Sequence, residues 1–196
     1  EDESIRYFIL KLNCLEGIRI EIKDNKIEQL SQQEYSGKRV YIIIKDDEGN
    51  VIESKIDLGV HANMNIEQDT YCFDVCMDDE GASLLINSCE QIFAEKLRSL
   101  LRFGPLSTRY KDVFDFCYLK DHVDMSRLAD CIKAYIIEEP SMREKDMNGV
   151  RKRVSLTFSN RQFRRNVEHS GDGNWLQIDV GVAFKTIQDF LKTVNL

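Results

Sequence analysis

Apolar residues recur at helical spacing over residues 89–103, which predicts an amphipathic helix in the segment around which the chain is organised. At about 100° per residue, Phe93, Leu97 and Leu100 fall on one face of the predicted helix, and charged residues fall on the opposite face. The Gly-Pro pair at 104–105 ends the helix, because glycine accepts a left-handed cap and proline cannot continue the hydrogen-bond ladder.

A second helix is predicted to follow at once, with Ser107 or Thr108 as its side-chain cap. Its first two turns carry Asp112 and Asp115, which are three residues apart and therefore neighbours on one surface. In the first helix, Lys96 lies among the apolar side chains. An unpaired buried ammonium is costly, so Lys96 either extends to solvent or meets an anion, such as a phosphate bound in a cleft.

The rest of the chain divides into a strand-rich half and a helical half. Alternating or continuously apolar runs predict strands at 18–22, 40–44, 51–60, 71–75 and 84–86, with a turn at 46–50 that makes a hairpin. Within that hairpin, Ile52, Ile56, Leu58 and Val60 are expected to face the core. Helical spacing predicts helices at 5–13, with Ser4 as its cap, at 125–137 and 142–158, and a last one from Trp175 and residues 184–194. We expect an α+β protein with a sheet region at 1–88 and a helical domain at 89–196.

Composition narrows the function classes without selecting one. The 196 residues have a formal charge of −7, with 42% hydrophobic and 31% charged residues, so the chain can bury an adequate core and is not a generally basic nucleic-acid binder. Residues 142–165 are nevertheless locally basic. This region is either a solvated helix face or a surface that contacts an RNA backbone.

Cysteine spacing and hydropathy indicate the cellular location. Six cysteines are scattered without a C-x-x-C pair, which predicts reduced thiols without bound zinc. No apolar run approaches 18 residues, and the first residues are acidic, unlike a signal peptide. We therefore expect a cytoplasmic protein with no membrane partner.

The two helices at the centre of the chain carry a recognisable pair of motifs. The run Ala94-Glu-Lys-Leu97, followed about a dozen residues later by Thr108-Arg-Tyr-Lys-Asp-Val-Phe-Asp115, resembles the AbiEii/AbiGii toxin family of nucleotidyltransferases. That family has an A-E-K-L helix and then an R-x-K/R-D-x-Y/F-D-L helix. The resemblance is good over residues 35–120 and general beyond them. It implies a partial nucleotidyltransferase-type mixed sheet, like that of polymerase β, followed by a helical domain.

The resemblance also implies which residues act. Asp57, in the strand segment Lys55-Ile-Asp-Leu-Gly59, would be a catalytic carboxylate and a metal ligand. Lys96 would contact the nucleotide phosphates and Asp112 would be catalytic, and all three are expected to converge on one cleft. The nucleotide-binding residues would be Lys96, Arg109, Lys111 and Asp115. The implied cofactors are Mg²⁺ and a nucleoside triphosphate.

One motif of the family does not occur in this sequence. The family carries a Gly-Ser or Gly-Gly turn followed by Asp-x-Asp on a strand, and those two carboxylates are its principal metal ligands. The short-spaced acidic sets here, at 46–48 and 78–80, are turn-like and lack the preceding turn motif. Because the chain begins where the motif should just have ended, we expect a fragment lacking its N-terminal part, or a partner-dependent or inactive relative.

Two hypotheses about function follow. The first is the toxin component of a bacterial toxin–antitoxin or phage-defence system, which transfers a nucleotide from a nucleoside triphosphate to an acceptor such as tRNA and has a cognate antitoxin. The second is a non-catalytic RNA- or protein-binding module derived from this fold. In that module Lys96, Asp112 and Asp115 would form a structural ion-pair network.

Overall fold

The fold is that of a computed structural model, which describes residues 2–11, 16–30, 37–58, 68–75 and 78–196. The chain forms two compact units, Glu1–Met64 and Asn65–Leu196. Each unit has its own hydrophobic core. The α+β class predicted from the sequence is confirmed.

The described residues of the first unit form a three-stranded sheet and one helix. Its elements are α1 (Asp2–Lys11), β1 (Ile18–Gln29), β2 (Lys38–Asp46) and β3 (Val51–Leu58). The strand β2 is central and pairs antiparallel with both neighbours, and the predicted hairpin of β2 and β3 is confirmed. Asp46 closes the hairpin turn by accepting hydrogen bonds from the backbone and side-chain nitrogens of Asn50, at 2.8 and 2.7 Å. The prediction of Ser4 as a helix cap is wrong, since Ser4 lies inside α1.

The core of the first unit is small. Ile9 of α1 and Val40 and Ile42 of β2 are buried, which agrees with the continuous apolar run predicted for a central strand. Ile56 and Leu58 pack against them, as predicted, but Ile52 is 62% exposed. Ile52 pairs with Ile44 near the turn, where the sheet extends beyond its buried centre. The predicted core residue Val60, and Gly59 before it, lie outside the described residues.

The second unit contains a hairpin and a helical bundle. The hairpin is β4 (Asp69–Val75) and β5 (Asp78–Ile86), paired antiparallel, so the acidic set at 78–80 begins a strand and is not a turn. The α-helices are α2 (Cys89–Phe103), α3 (Lys111–Leu119), α4 (Met125–Ile132), α5 (Met147–Ser159), α6 (Arg161–Glu168) and α7 (Val180–Thr193). Short 3-10 helices occupy Gly104–Leu106 and Gly171–Gly173, and a π-helical turn, Lys133–Ile137, extends α4.

The helix at the centre of the sequence pattern has the predicted bounds. Ser88 caps α2 by accepting a hydrogen bond from the Gln91 amide at 3.2 Å. Gly104 ends it with φ +52°, a conformation that favours glycine. A side chain at this position would also meet the guanidinium of Arg153, 2.6 Å from an added Cβ. The break between α2 and α3 is therefore fixed by both backbone geometry and packing.

Three predicted helix starts in the second unit differ from those in the structure. Neither Ser107 nor Thr108 caps α3, whose N-cap position is Tyr110, without a side-chain hydrogen bond. The helix predicted from 142 begins at Met147, after the Asp146 carboxylate accepts the Gly149 amide at 2.7 Å. Trp175 precedes the last helix, which begins after the cap Asp179.

The core of the second unit is larger and rich in aromatic rings. Phe93 of α2 meets Phe116 of α3 edge-to-face with centroids 4.8 Å apart, and Phe158 of α5 stacks on Phe184 of α7 at 4.1 Å. Such contacts fix the relative positions of the helices beyond what area burial alone does. In the described part of the chain, no helix combines the length and the apolarity needed to cross a membrane.

Candidate functional site

The clearest polar cluster of the second unit joins α2 to α3. The Lys96 ammonium lies 2.5 Å from Asp112 Oδ1 and 2.9 Å from Asp115 Oδ2. The three-residue spacing of the two aspartates on α3 turns both carboxylates towards the same side of that helix. The lysine in the apolar pattern of α2 has therefore met anionic partners, and it does not simply extend to solvent.

The three residues Lys96, Asp112 and Asp115, which we call the Lys96 cluster, are partly buried. The side chains keep 23%, 13% and 16% of their surface exposed, respectively. Burial opposes the charge on Lys96, but the hydrogen bonds and charges of the two aspartates outweigh it, so the pKa of Lys96 lies above its usual value. The ammonium is therefore charged at neutral pH.

The charge and the donors of the cluster set what it can bind. One ammonium and two ionised carboxylates leave one net negative charge. A lysine ammonium has three hydrogen-bond donors. Two point at Asp112 and Asp115, and the described residues offer it no third side-chain acceptor. The remaining N–H can donate a hydrogen bond to a ligand oxygen while both carboxylates hold the lysine in place.

Sequence reasoning missed Trp175 as a neighbour of this cluster. Its indole Nε1 donates a hydrogen bond to Asp115 Oδ1 at 2.8 Å, so Asp115 connects the tryptophan with Lys96. Trp175 follows the Gly-Asp-Gly-Asn segment at 171–174. The sequence offers one indication of this contact: the N–H of a partly buried indole needs a hydrogen-bond acceptor, and a carboxylate can supply it.

Two further cations predicted to bind the nucleotide lie at the start of α3. Arg109 lies just before α3 and Lys111 is its first residue, and both side chains are exposed. The Arg109 amide donates to the Ser107 hydroxyl at 3.3 Å, which shapes the loop that leads into the helix. Their role in binding a nucleotide remains a prediction.

Asp57 lies in the first unit, on β3, directly opposite Arg39 of β2. The guanidinium binds both carboxylate oxygens, with Nε–Oδ1 at 2.6 Å and Nη2–Oδ2 at 2.7 Å. This hydrogen-bonded pair lowers the pKa of Asp57 and raises that of Arg39. Because Asp57 and Lys96 belong to different units, their predicted convergence on one cleft remains a prediction.

Residues 11–176 match the family described as "Nucleotidyl transferase AbiEii toxin, Type IV TA system". The chain belongs to this family. No curated protein and no solved structure is significantly similar to it. The match covers the sheet strands, α2, α3 and the loop that carries Trp175, so both halves of the molecule share the family's ancestry.

Membership of the AbiEii family implies metal use in general, and the described residues do not fit a metal centre. Among them, no group of three or more His, Cys, Asp or Glu side chains could hold an ion. Both oxygens of Asp57 are engaged by Arg39, and the carboxylates of Asp112 and Asp115 are engaged by Lys96. A metal at any of these carboxylates would compete with the cation that is already bound there.

The locally basic region of this AbiEii chain is partly structural. Arg151 donates to backbone carbonyls at the C-terminal end of α7 at 2.8 and 2.9 Å, and Arg153 donates to one at the C-terminal end of α2 at 3.1 Å. These arginines cap helices, as cations do at helix C-termini. Of the other predicted RNA contacts, Arg161, Arg164 and Arg165 are exposed on α6.

Proposed function

We propose that the chain takes part in nucleotidyl transfer, with Lys96 binding the phosphates of a nucleoside triphosphate and an RNA, such as a tRNA, as acceptor. The observation that carries this proposal is the Lys96 cluster, in which two carboxylates orient a charged ammonium whose third donor remains available. A positive charge held in place acts most strongly where negative charge develops, here on the leaving pyrophosphate.

The proposal gives a task to each of the polar residues of the second unit that are predicted to form the site with Lys96. Asp112 and Asp115 hold Lys96 in position, and the exposed Arg109 and Lys111 offset the net negative charge of the cluster. In this proposal the nucleotide binds as its magnesium complex. Family membership adds a cognate antitoxin to this proposal. A cytoplasmic location and a role in phage defence are further parts of it.

A second candidate is a non-catalytic binding module. It is favoured by the Arg39–Asp57 pair, which engages both oxygens of the predicted metal ligand, and by the two carboxylates that already pair with Lys96. In this interpretation the Arg39–Asp57 pair and the Lys96 cluster have structural roles only. The reading frame upstream of Glu1 helps to separate the two candidates, because a Gly-Ser turn followed by Asp-x-Asp there favours the enzyme.

The direct test is Lys96→Met in the complete gene product. Methionine keeps the apolar stem but removes the charge. We expect transfer of labelled nucleotide onto an RNA pool to fall at least about a hundredfold. We also expect the melting temperature to fall by about 5 °C, because Asp112 and Asp115 lose their shared cation.

A charge-balanced variant separates the two losses. Lys96→Met combined with Asp112→Asn and Asp115→Asn removes the cation and both anions together, so we expect its melting temperature to recover most of the loss without any recovery of transfer. If Lys96→Met alone transfers at the wild-type rate, Lys96 does not bind the phosphates. If the wild-type gene product transfers no nucleotide to RNA, the binding module is the better reading.

A further inference from the structure

Three aromatic rings form a partly exposed surface beside the Lys96 cluster. Tyr118 stacks on His122, with centroids 4.0 Å apart and an interplanar angle of 20°. Trp175 meets Tyr118 at 5.6 Å with a tilt of 56°. Tyr118 and Trp175 are each 44% exposed, and His122 is exposed as well. We call Tyr118, His122 and Trp175 the aromatic corner.

The chain fixes the position of this corner from two sides. Tyr118 is one turn after Asp115 on α3, so both residues lie on the same side of that helix. The His122 ring is held in turn, because its Nδ1 lies 2.8 Å from the Tyr118 carbonyl oxygen. Trp175 is fixed by its hydrogen bond to Asp115. Large apolar rings that stay exposed while held this rigidly are a feature of recognition surfaces.

One carboxylate connects the corner with the cation. Asp115 Oδ2 contacts the Lys96 ammonium at 2.9 Å, and Asp115 Oδ1 accepts the Trp175 indole N–H at 2.8 Å. The N–H edge of the Trp175 indole and the Lys96 ammonium therefore contact opposite oxygens of one carboxylate group. The tilt between Trp175 and Tyr118 matters too, since tilted rings do not cover each other's faces as stacked rings do.

We propose that the aromatic corner binds the base of a nucleotide by stacking on Trp175, with its phosphates directed to Lys96. This inference rests on the proposed function for the identity of the ligand, and it adds the part of the site that holds the base. Every base has a π-face, so stacking on Trp or Tyr is tolerant of sequence, and each stacked base contributes measurably to affinity. The corner offers ring faces, and the described contacts already use the indole N–H, so we expect weak discrimination among bases.

Trp175 is the single tryptophan of the chain, which makes it a direct reporter. With excitation at 295 nm, titration with ATP, GTP, CTP or UTP should quench its fluorescence saturably. Inorganic tripolyphosphate offers the same charge without a base, and it should leave the fluorescence nearly unchanged. Equal quenching by tripolyphosphate and by nucleotides would overturn the proposal, because the signal would then report charge binding at Lys96 alone.

Variants distinguish stacking from hydrogen bonding, with nucleotide affinity measured by calorimetry. Trp175→Leu should weaken nucleotide binding about tenfold, and Trp175→Phe, which keeps a ring but loses the N–H, should stay within about threefold of wild type. Tyr118→Leu should weaken binding to an intermediate extent. Phe103→Leu is the matched control, since Phe103 is an aromatic residue of the same unit with 50% exposure and lies outside the corner.

The two proposals can fail separately. If Trp175→Leu and Tyr118→Leu bind nucleotide as wild type does while RNA transfer is normal, the stacking site is wrong and the proposed function stands. If nucleotides quench Trp175 saturably but no transfer onto RNA occurs, the base site stands and the catalytic proposal is wrong. If neither nucleotide binding nor quenching is found, the corner does not hold a base, and a protein partner such as the antitoxin is the occupant to test next.

Discussion

Two ion-paired groups contain the three residues predicted to be catalytic, Asp57, Lys96 and Asp112, and the molecule builds these groups in different ways. Arg39 and Asp57 face each other across an antiparallel ladder, with 28% and 42% of their side chains exposed. The Lys96 cluster joins two packed helices, and its aspartates keep only 13% and 16%. Solvent screens the first group well and the second group poorly.

That difference in exposure implies different energetic roles for similar chemistry. A solvated pair on a strand contributes little to stability, and its carboxylate can exchange partners at small cost. Removing one side of a shielded pair leaves a charge that is partly desolvated, so the remaining partner destabilises the fold. The Lys96 cluster should therefore behave as part of the helical core, and the Arg39–Asp57 pair should not.

Of the changes that test this comparison, removing both carboxylates of the Lys96 cluster should have the largest effect on stability. We predict that Asp112→Asn combined with Asp115→Asn lowers the free energy of unfolding by about 3 kcal/mol, because Lys96 keeps its charge without a counter-ion. Denaturant unfolding measures the change. Asp121→Asn, which removes a 65% exposed carboxylate paired with Lys120, is the matched control and should have little effect.

Adding Lys96→Met to that double variant should return most of the lost stability, since no charge is then left without a partner. If the double variant is as stable as wild type, the cluster is no more shielded than the pair on the sheet, and the comparison fails.

An intermediate effect is expected in alkaline solution, where buried thiols report on the helical core. Burial raises the pKa of Cys117 and of Cys131 to about 11 each. Between pH 8.5 and 10 these thiols ionise in the unfolded chain but stay neutral in the folded one. The unfolded state then binds fewer protons, so stability falls as pH rises, by about 2–3 kcal/mol for the two thiols together.

The control is the combined variant Cys117→Ala and Cys131→Ala. Its absolute stability will be lower because two small core side chains are shortened. The slope of unfolding free energy against pH should nevertheless flatten between pH 8.5 and 10. A slope equal to that of wild type would show that these thiols do not titrate with the unfolding of the helical unit.

The sequence predicts a structural feature well when neighbouring residues determine that feature, and poorly when distant residues do. The bounds of α2 were predictable because apolar spacing, the Ser88 cap and Gly104 all lie within the helix or next to it. The start of α3 was not, because Ser107 instead accepts a hydrogen bond within its own loop. Likewise, Ile52 has the alternation of a core residue, but how far the core covers a strand is a tertiary property.

The candidate site shows the same limit. The pattern required an anion near Lys96 and placed Asp112 and Asp115 on one surface, so their contact follows from two adjacent helices. Trp175 is sixty positions from Asp115 in the sequence, and no periodicity connects them. The partner of Asp57 also depends on strand register, which the turn length constrains and the sequence pattern alone does not fix.

The smallest effect on stability is expected at the Arg39–Asp57 pair. We predict that Asp57→Asn leaves the melting temperature nearly unchanged, because the pair is exposed and the neutral amide can still accept a hydrogen bond from the guanidinium. Arg39→Gln is the matched change on the other strand and should behave alike. A clear loss of stability in both variants would mean that the exposed pair contributes as the shielded cluster does.

Transfer activity makes the same two variants informative about function. Asp57→Asn removes a carboxylate that the family resemblance makes a metal ligand, and Arg39→Gln frees that carboxylate from its bidentate partner. If Asp57 binds metal during transfer, Asp57→Asn should abolish activity while Arg39→Gln retains it or raises it, because the metal no longer competes with the guanidinium. If Asp57 only pairs across the sheet, both variants should transfer nucleotide at the wild-type rate. Equal loss in both would instead assign the function to the pair itself, with Arg39 positioning Asp57.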